Sequence, residues 1–286
     1  MPSKIFTAKY YDTYYLANIV HRIAFDRYGY AREMEGFFEE SGTALVRPFP
    51  KWSAFHSFVE YIVSFTLRDE TLETDPSELL KHEKNWNFVP ADCRPDFRRL
   101  PINDAFDTHG LEHQSFEDWL REGSKSFETS DNDDVFEYCD DLLLGGPWEE
   151  LVKIITEEIF YLLFSNRAVL QAFNESVAEK VSEVAIEEVD AQDRRWFKRN
   201  GVLQRVDIPS WASTAVFHRD KGLCAFCCCD LTGVINISGD PHCDHIVPLA
   251  LGGLNDVTNL QLLCRDCNLK KSDKAKEPSE RYQRWY

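Results

Sequence analysis

Apolar positions recur at helical spacing through the first two-thirds of the chain and lose that period near residue 200. Within residues 4–36, Leu16, Ile19, Val20 and Ile23 share one helical face in a stretch rich in Tyr and Phe, which predicts a helix. WSAFHSFVEYIVSFTL, residues 52–67, predicts a second, with SGTALVRPFP as the loop between them. Residues 74–107 contain Pro76, Pro90, Pro95 and Pro101 and are expected to be mainly loop with short helical pieces. HQSFEDWLREG reads as a short helix closed by Gly123, and FETSDNDD, residues 127–134, as an exposed linker. GGPWEELVKIITEEIFYLLF starts cleanly: Pro147 suits a first helical position, and Glu149 and Glu150 complement the positive end of the helix dipole. The next helix is expected to begin near Ser165 or Asn166 and run through AVLQAFNESVAEKVSEVAIEEV toward a stop at Gly201.

GVLQRVDIPSWA, residues 201–212, is a Pro-containing connector, and beyond it the elements shorten. FHRDKGLCAFC reads as a short helix leading into a ligand-bearing turn. CCDLTGVINISGDPHCDHIVPL reads as a two-stranded hairpin that uses the β-branched VINI run and an SGDP turn. A helix is expected from about Asp266. The fold class is therefore α+β: a mostly helical, acidic domain over residues 1–205, then a small domain over residues 206–286 in the order strand, strand, helix.

Charge sharpens this division. The chain carries a formal −17, yet residues 217–286 hold nine Lys/Arg against nine Asp/Glu, so the whole excess lies in the first 216 residues. Residues 265–284 hold seven basic against four acidic side chains, and Lys270, Lys271, Lys274 and Lys276 crowd one short stretch. Any polyanion is expected at this C-terminal end, through backbone-phosphate contacts from those lysines, and not on the acidic part. No apolar run approaches the roughly 18 residues of a membrane span, and MPSKIFTAKYYD lacks the apolar stretch of a secretion signal. The expected location is the cytoplasm, where nine cysteines are metal ligands or free thiols and not disulfides.

Two CxxC pairs, Cys224/Cys227 and Cys264/Cys267, carry the most specific signal. Four thiolates in this pattern make a closed tetrahedral zinc site that holds structure and does no chemistry. The run Cys227-Cys228-Cys229 leaves open which thiols bind, and Cys228, Cys229, Cys243, Cys93 and Cys139 are read as packing residues. Chemistry falls instead to Asp244 and His245. Neighbours on a strand point to opposite faces, so the pair alone is a weak signal, and the spacing beyond it is what sharpens it.

The spacing beyond that pair carries a resemblance. DHIVP at 244–248, GG at 252–253, NLQLLC at 259–264 and CRDCNLKK at 264–271 stand in order without a gap. Residues 217–274 thereby resemble the HNH nuclease family and its zinc-stabilised ββα-metal motif. The resemblance implies a DNA endonuclease in which Asp244 and Asn268 hold the catalytic divalent metal and His245 is the general base. By the same resemblance Asn259 braces the loop that orients His245, and Lys271 contacts phosphate. Asn at the last position supplies a hard oxygen, which favours Mg²⁺ or Mn²⁺. Double-strand breaks would need two copies, hence a homo-oligomer. By analogy with chains that join this domain to another, residues 1–205 are expected to sense a trigger, bind a regulatory protein or mediate assembly, in defence against phage or foreign DNA.

Three alternatives accompany this reading. HGLEH, residues 109–113, formally fits the inverted zinc-protease pattern, although Gly110 beside DTH reads more as a helix entrance than as the middle of a helix carrying both histidines. A zinc-stabilised nucleic-acid-binding module without turnover would keep the cysteines and the lysines. An interaction protein acting through the helical region would make cleavage incidental.

Overall fold

The computed structural model describes residues 4–86, 88–90, 93, 96–233, 240–272 and 274, with backbone alone over 4–12. Among these residues it is mostly helical, with two small two-stranded sheets, as an α+β class requires. Nine helices precede the first strand among the described residues: α1 (Lys4–Phe25), α2 (Ala31–Ser41), α3 (Ala54–Leu72), α4 (Pro76–Asn85), α5 (Pro101–His109), α6 (Phe116–Glu122), α7 (Asn132–Gly145), α8 (Pro147–Phe164) and α9 (Arg167–Glu183). The hairpin β1 (Phe197–Arg199) and β2 (Val202–Leu203) follows, then α10 (Ser210–Arg219), β3 (Pro241–His245), β4 (Leu260–Cys264) and α11 (Arg265–Lys271). No helix is long and apolar enough to cross a membrane among the described residues.

Several boundaries depart from the periodicity. The helix expected over 4–36 is two helices, because the Asp26 carboxylate accepts from the Gly29 amide at 3.0 Å and folds residues 26–30 into a turn. The acidic run at 127–134 is not a linker. Phe127 is buried, and Asp131 accepts from the amides of Asp133 and Asp134, capping α7. Asp134 itself is buried and paired with Lys125. The helix expected to reach Gly201 ends at Glu183, although its start, capped by Asn166 on the Val169 amide, lies where expected. Of the hairpin expected through VINI, residues 234–239 lie outside the described ones. β3 pairs antiparallel with β4, Asp244 opposite Gln261 and His245 opposite Leu260.

The chain forms two compact units: residues 1–18 with 60–159, and residues 19–59 with 160–286. In the first, Phe106, Phe116, Phe127 and Tyr138 are buried together with Leu120 and Leu151. Tyr138 donates to the Gln114 carbonyl at 2.5 Å and accepts from Asn103 at 2.6 Å, so its hydroxyl is satisfied at no cost to packing.

Two clusters stand among the described residues of the second unit. Phe37, Phe55, Phe58 and Phe173 meet with centroids 5.0 to 5.3 Å apart for the Phe37–Phe58, Phe55–Phe173 and Phe58–Phe173 pairs. The other joins Phe49 to Ala212, Val216, Cys224, Leu231, Leu260, Leu262 and Leu263, so a residue from before α3 sits in the core beneath the C-terminal sheet. Helix α3 is also capped from that end of the chain, by Asp256 accepting from the Ala54 amide at 2.9 Å. Asp256 is buried and also accepts from the Thr258 amide and hydroxyl.

His56, near the start of α3, stacks on Phe160 with centroids 3.5 Å apart, and its Nδ1 accepts from the Ser53 amide. Burial pushes its pKa down to about 4. A proton would have to displace an N–H donor at the positive end of a helix. The unfolded ring titrates near 6.5, above the folded one, so the unfolded state takes up the proton first. The neutral ring's contribution is therefore complete above about pH 6.5 and is lost as pH falls from there toward about 4, at roughly 1.4 kcal/mol per pH unit. The urea midpoint should drop between neutral pH and about pH 5, and His56→Phe should flatten that drop. An equal drop in both proteins would assign the acid sensitivity elsewhere.

Candidate metal centre and active site

The thiols of Cys224, Cys227, Cys264 and Cys267 converge, with all four sulfurs within 4.8 Å of one another. The Cys227 and Cys264 sulfurs are 3.8 Å apart. A tetrahedron of thiolates about 2.3 Å from zinc has edges of roughly 3.8 Å, so the donor set and its spacing fit a structural zinc ion. The first pair sits on a tight turn in which Cys228 adopts φ +58° and its amide bonds the Cys224 carbonyl at 2.9 Å. The second pair straddles the start of α11, where the Cys264 sulfur accepts from the Cys267 amide and caps the helix. Burial pushes the Cys224 thiol up, but hydrogen bonds from the backbone at Cys227, Cys264 and Phe226 outweigh it and bring the thiol down to about 7. Of the cysteines in and around the Cys227-Cys228-Cys229 run, it is the two CxxC pairs whose thiols converge, the one such grouping of four among the described residues.

Beside this centre, β3 ends in Asp244 and His245. Asp244 is partly buried and His245 almost wholly so, at 3% exposure. Desolvation lowers the His245 pKa to about 4, Asp244 and Asn255 raising it and Arg205 and Lys271 lowering it. The imidazole is therefore neutral at physiological pH, the state in which it can accept a proton. Its Nε2 is buried without a hydrogen-bond partner.

The loop after β3 is held by Asn259, which is fully buried. Its Oδ1 accepts from the Val247 amide at 2.8 Å, and its Nδ2 donates to the carbonyls of Val247 and Leu254 at 3.0 and 2.9 Å. The glycine pair makes this possible. A Cβ on Gly253 would lie 2.0 Å from the Val247 oxygen, and one on Gly252, at φ +89°, 2.3 Å from the Ala178 oxygen of α9. A side chain at either position would push the loop off its partners.

Helix α11 packs against β3 and β4 and carries Asn268, Lys270 and Lys271. Asn268 is partly buried, and Lys270 and Lys274 are exposed; Lys276 lies outside the described residues. Lys271 differs from the expectation. Rather than facing phosphate, it is buried, its ammonium 2.9 Å from the Asp244 carboxylate and donating to the His245 carbonyl at 2.8 Å. A long aliphatic stem threads the core here because the charged end finds a carboxylate and a carbonyl inside.

Three site-supporting residues carried no signal in the sequence. Asp220 is buried and accepts from Arg219 at 2.8 Å, from Arg167 of α9 at 3.1 Å and from the Leu262 amide of β4 at 2.8 Å. Burial pushes its carboxyl up, but Arg219 and Arg167 prevail and hold it below the usual carboxylate range. Asp256 and Asn255, in the loop before β4, are the other two. The HGLEH pattern does not form a metal site: α5 ends at His109, Gly110 turns left-handed at φ +69°, and His113 lies beyond the helix, stacked on Phe106.

Residues 224–274 match the family model for HNH endonucleases. The match spans the four-cysteine cluster, β3, the braced loop, β4 and the start of the lysine-bearing stretch, so this segment is a nuclease-type HNH domain with a cluster suited to zinc. No curated protein and no solved structure matches the chain.

Proposed function

We propose that this chain is a metal-dependent endonuclease that hydrolyses phosphodiester bonds in DNA, with His245 as general base. The observation that carries the reading is the end of β3: a neutral, buried imidazole next to an aspartate, in a loop pinned by Asn259. Asp244 and Asn268 are the residues that would hold a divalent ion. Their two hard oxygens suit a largely hydrated Mg²⁺ or Mn²⁺. When bound, such an ion supplies charge neutralisation at the phosphoryl oxygen and the leaving 3′-oxygen.

The chain's own residues divide the remaining work. His245 takes the proton from the attacking water, which a neutral ring does at physiological pH. Lys271 fixes Asp244 by its ion pair, and by bonding the His245 carbonyl it holds the strand end that carries both residues. Lys270, in the last turn of α11, and Lys274, three residues beyond its end, are exposed and position the phosphate backbone without reading sequence.

The catalytic unit extends beyond residues 206–286. Phe49, Ala54, Arg167 and Gln204 all contact the C-terminal segment directly. Residues 60–159, which fall in the other compact unit, are the part we assign to sensing or assembly.

Plasmid cleavage by the purified protein with Mg²⁺ or Mn²⁺, beside His245→Ala, tests the reading. Wild type should nick or linearise the plasmid, and the variant should be slower by about 100-fold or more. Linear product would indicate that two copies act together. Equal cutting by both proteins would remove His245 from the chemistry, and loss of DNA retention together with cutting would point to a folding defect instead.

A further inference from the structure

Twelve consecutive residues, Arg194 to Arg205, hold five basic side chains and no acidic one, inside the part of the chain that carries the whole acidic excess. Averaged over 216 residues, the run disappears. All five are exposed, and none forms an ion pair among the described residues. Arginines elsewhere behave differently: Arg27, Arg68, Arg98 and Arg121 each face a carboxylate. The acidic residues on either side of the run do not neutralise it. Asp193 is buried and taken by Arg47 and Thr43, and Asp207 makes no ion pair among the described residues.

Two of the five have local work. Arg194 donates to the carbonyls of Val189 and Glu187 at 2.7 and 2.9 Å, and the Arg195 guanidinium lies over the Trp196 ring, 4.5 Å from its centroid. Lys198, Arg199 and Arg205 make no side-chain hydrogen bond or ion pair among the described residues. Unpaired cations gathered this densely raise the local potential and attract a polyanion, which the rest of so acidic a chain repels.

The backbone beneath these side chains is held at both ends. Phe197 and Leu203 pair across the β1–β2 hairpin and are buried. At the turn, the Gly201 amide donates to the Val184 carbonyl at 3.0 Å, and the Asn200 side chain accepts from the Ile186 amide at 3.2 Å. Gly201 stands at φ +68°, where a Cβ would lie 2.4 Å from the Ser182 oxygen, so the turn is pressed onto the end of α9. The other end is tied to the loop that follows Asp244 and His245. There β2 packs against residues 249–251, and the Gln204 carbonyl accepts from the Asn255 side chain at 2.9 Å. Asn259 braces that same loop through Val247 and Leu254. A surface fixed in this way loses little entropy when it is occupied.

We infer that the β1–β2 hairpin is a second DNA-contacting surface, on which Lys198, Arg199 and Arg205 hold the phosphate backbone of the duplex being cut. The inference rests on the nuclease reading for its partner. It extends the contact surface beyond Lys270 and Lys274, and it places part of that surface before residue 206, where the overall charge gave no reason to expect it.

Fluorescence anisotropy of a short labelled DNA duplex tests it on the full chain, without added Mg²⁺ or Mn²⁺ so that the DNA stays whole. Affinity is followed as salt is raised. Lys198→Gln, Arg199→Gln and Arg205→Gln together should make the plot of log Kd against log salt shallower by about 2 to 3, nearly one for each lost contact, and weaken binding by about tenfold or more. Because these side chains are exposed and unpaired, Tm should stay within about 2 °C of wild type. Lys84→Gln, Arg121→Gln and Lys153→Gln together remove the same charge from residues 60–159 and should leave the slope as it is. Should the hairpin variant fail to fold, Lys198→Gln and Arg205→Gln singly should each lower the slope by about one. An unchanged slope in the hairpin variant, an equal loss in the control, a loss confined to an RNA duplex of the same sequence, or no binding by wild type overturns the inference. Binding that depends on the hairpin, from a wild type that never cuts plasmid, leaves the inference standing and sinks the nuclease reading.

Discussion

Replacing Cys264 with Ser is expected to abolish zinc binding and to lower Tm by about 10 °C or more, since structural zinc contributes directly to folding. Cys264 has three tasks at once. It closes β4, it caps α11 through the Cys267 amide, and its sulfur is part of the four-thiol cluster. Losing it unties β3, β4 and α11 from the Cys224/Cys227 turn, and with them the segment that carries Asp244, His245 and Asn268. The effect stops short of complete unfolding because Leu260, Leu262 and Leu263 keep their contacts with Val216 and Phe49. Metal analysis of purified wild type should find one zinc per chain, released by a strong chelator together with the loss of Tm. Cys229→Ser and Cys243→Ser should retain both. A wild-type chain without zinc, or a Cys264→Ser protein with unchanged Tm, would mean that the cluster is a set of reduced thiols.

Asp220→Ala should cost about 3–5 kcal/mol, the usual consequence of removing one partner from a buried charge network. The aspartate is fully buried between two guanidiniums, and its loss leaves Arg219, at 1% side-chain exposure, without its counter-charge. It also strips the Leu262 amide of its acceptor in the middle of β4. Urea unfolding of wild type and variant at neutral pH measures the difference. Arg167→Met should cost less, because Arg219 still neutralises the carboxylate, and the two changes together should fall short of their sum. A cost below about 1 kcal/mol for Asp220→Ala would mean that the network is solvated and contributes little to joining α9 to the HNH segment.

Both predictions concern how the C-terminal segment is held, and they differ in how much of that was legible beforehand. The four-thiol cluster was, apart from the choice among three consecutive cysteines. A CxxC spacing places two thiols on one turn, so the chemistry is local and can be read in order. The start of α8 at Pro147 and the cap of α9 at Asn166 were legible for the same reason, since a cap acts within three or four residues. The acidic stretch before α7 was misread because carboxylates that cap a helix and carboxylates that solvate a linker have the same composition. Only the backbone geometry around Asp131 separates them.

The sequence by itself therefore determined the class of the C-terminal segment, the four cysteines that cluster in it, the positions of Asp244, His245, Asn259 and Asn268 within it, and the mostly helical character of what precedes. The tertiary structure alone decided that Lys271 points inward to Asp244, that Asp220 gathers two arginines, and that Asp256 caps a helix 202 residues away. It alone placed Phe49 and Gln204 behind Asn255. The physical reason is the range of the interaction. Ligand spacing, caps and amphipathic period act over one or two turns and leave a mark in neighbouring letters. A buried charge takes whichever partner the packed chain brings within about 3 Å, because leaving it alone is costly, and no local pattern records which residue that will be.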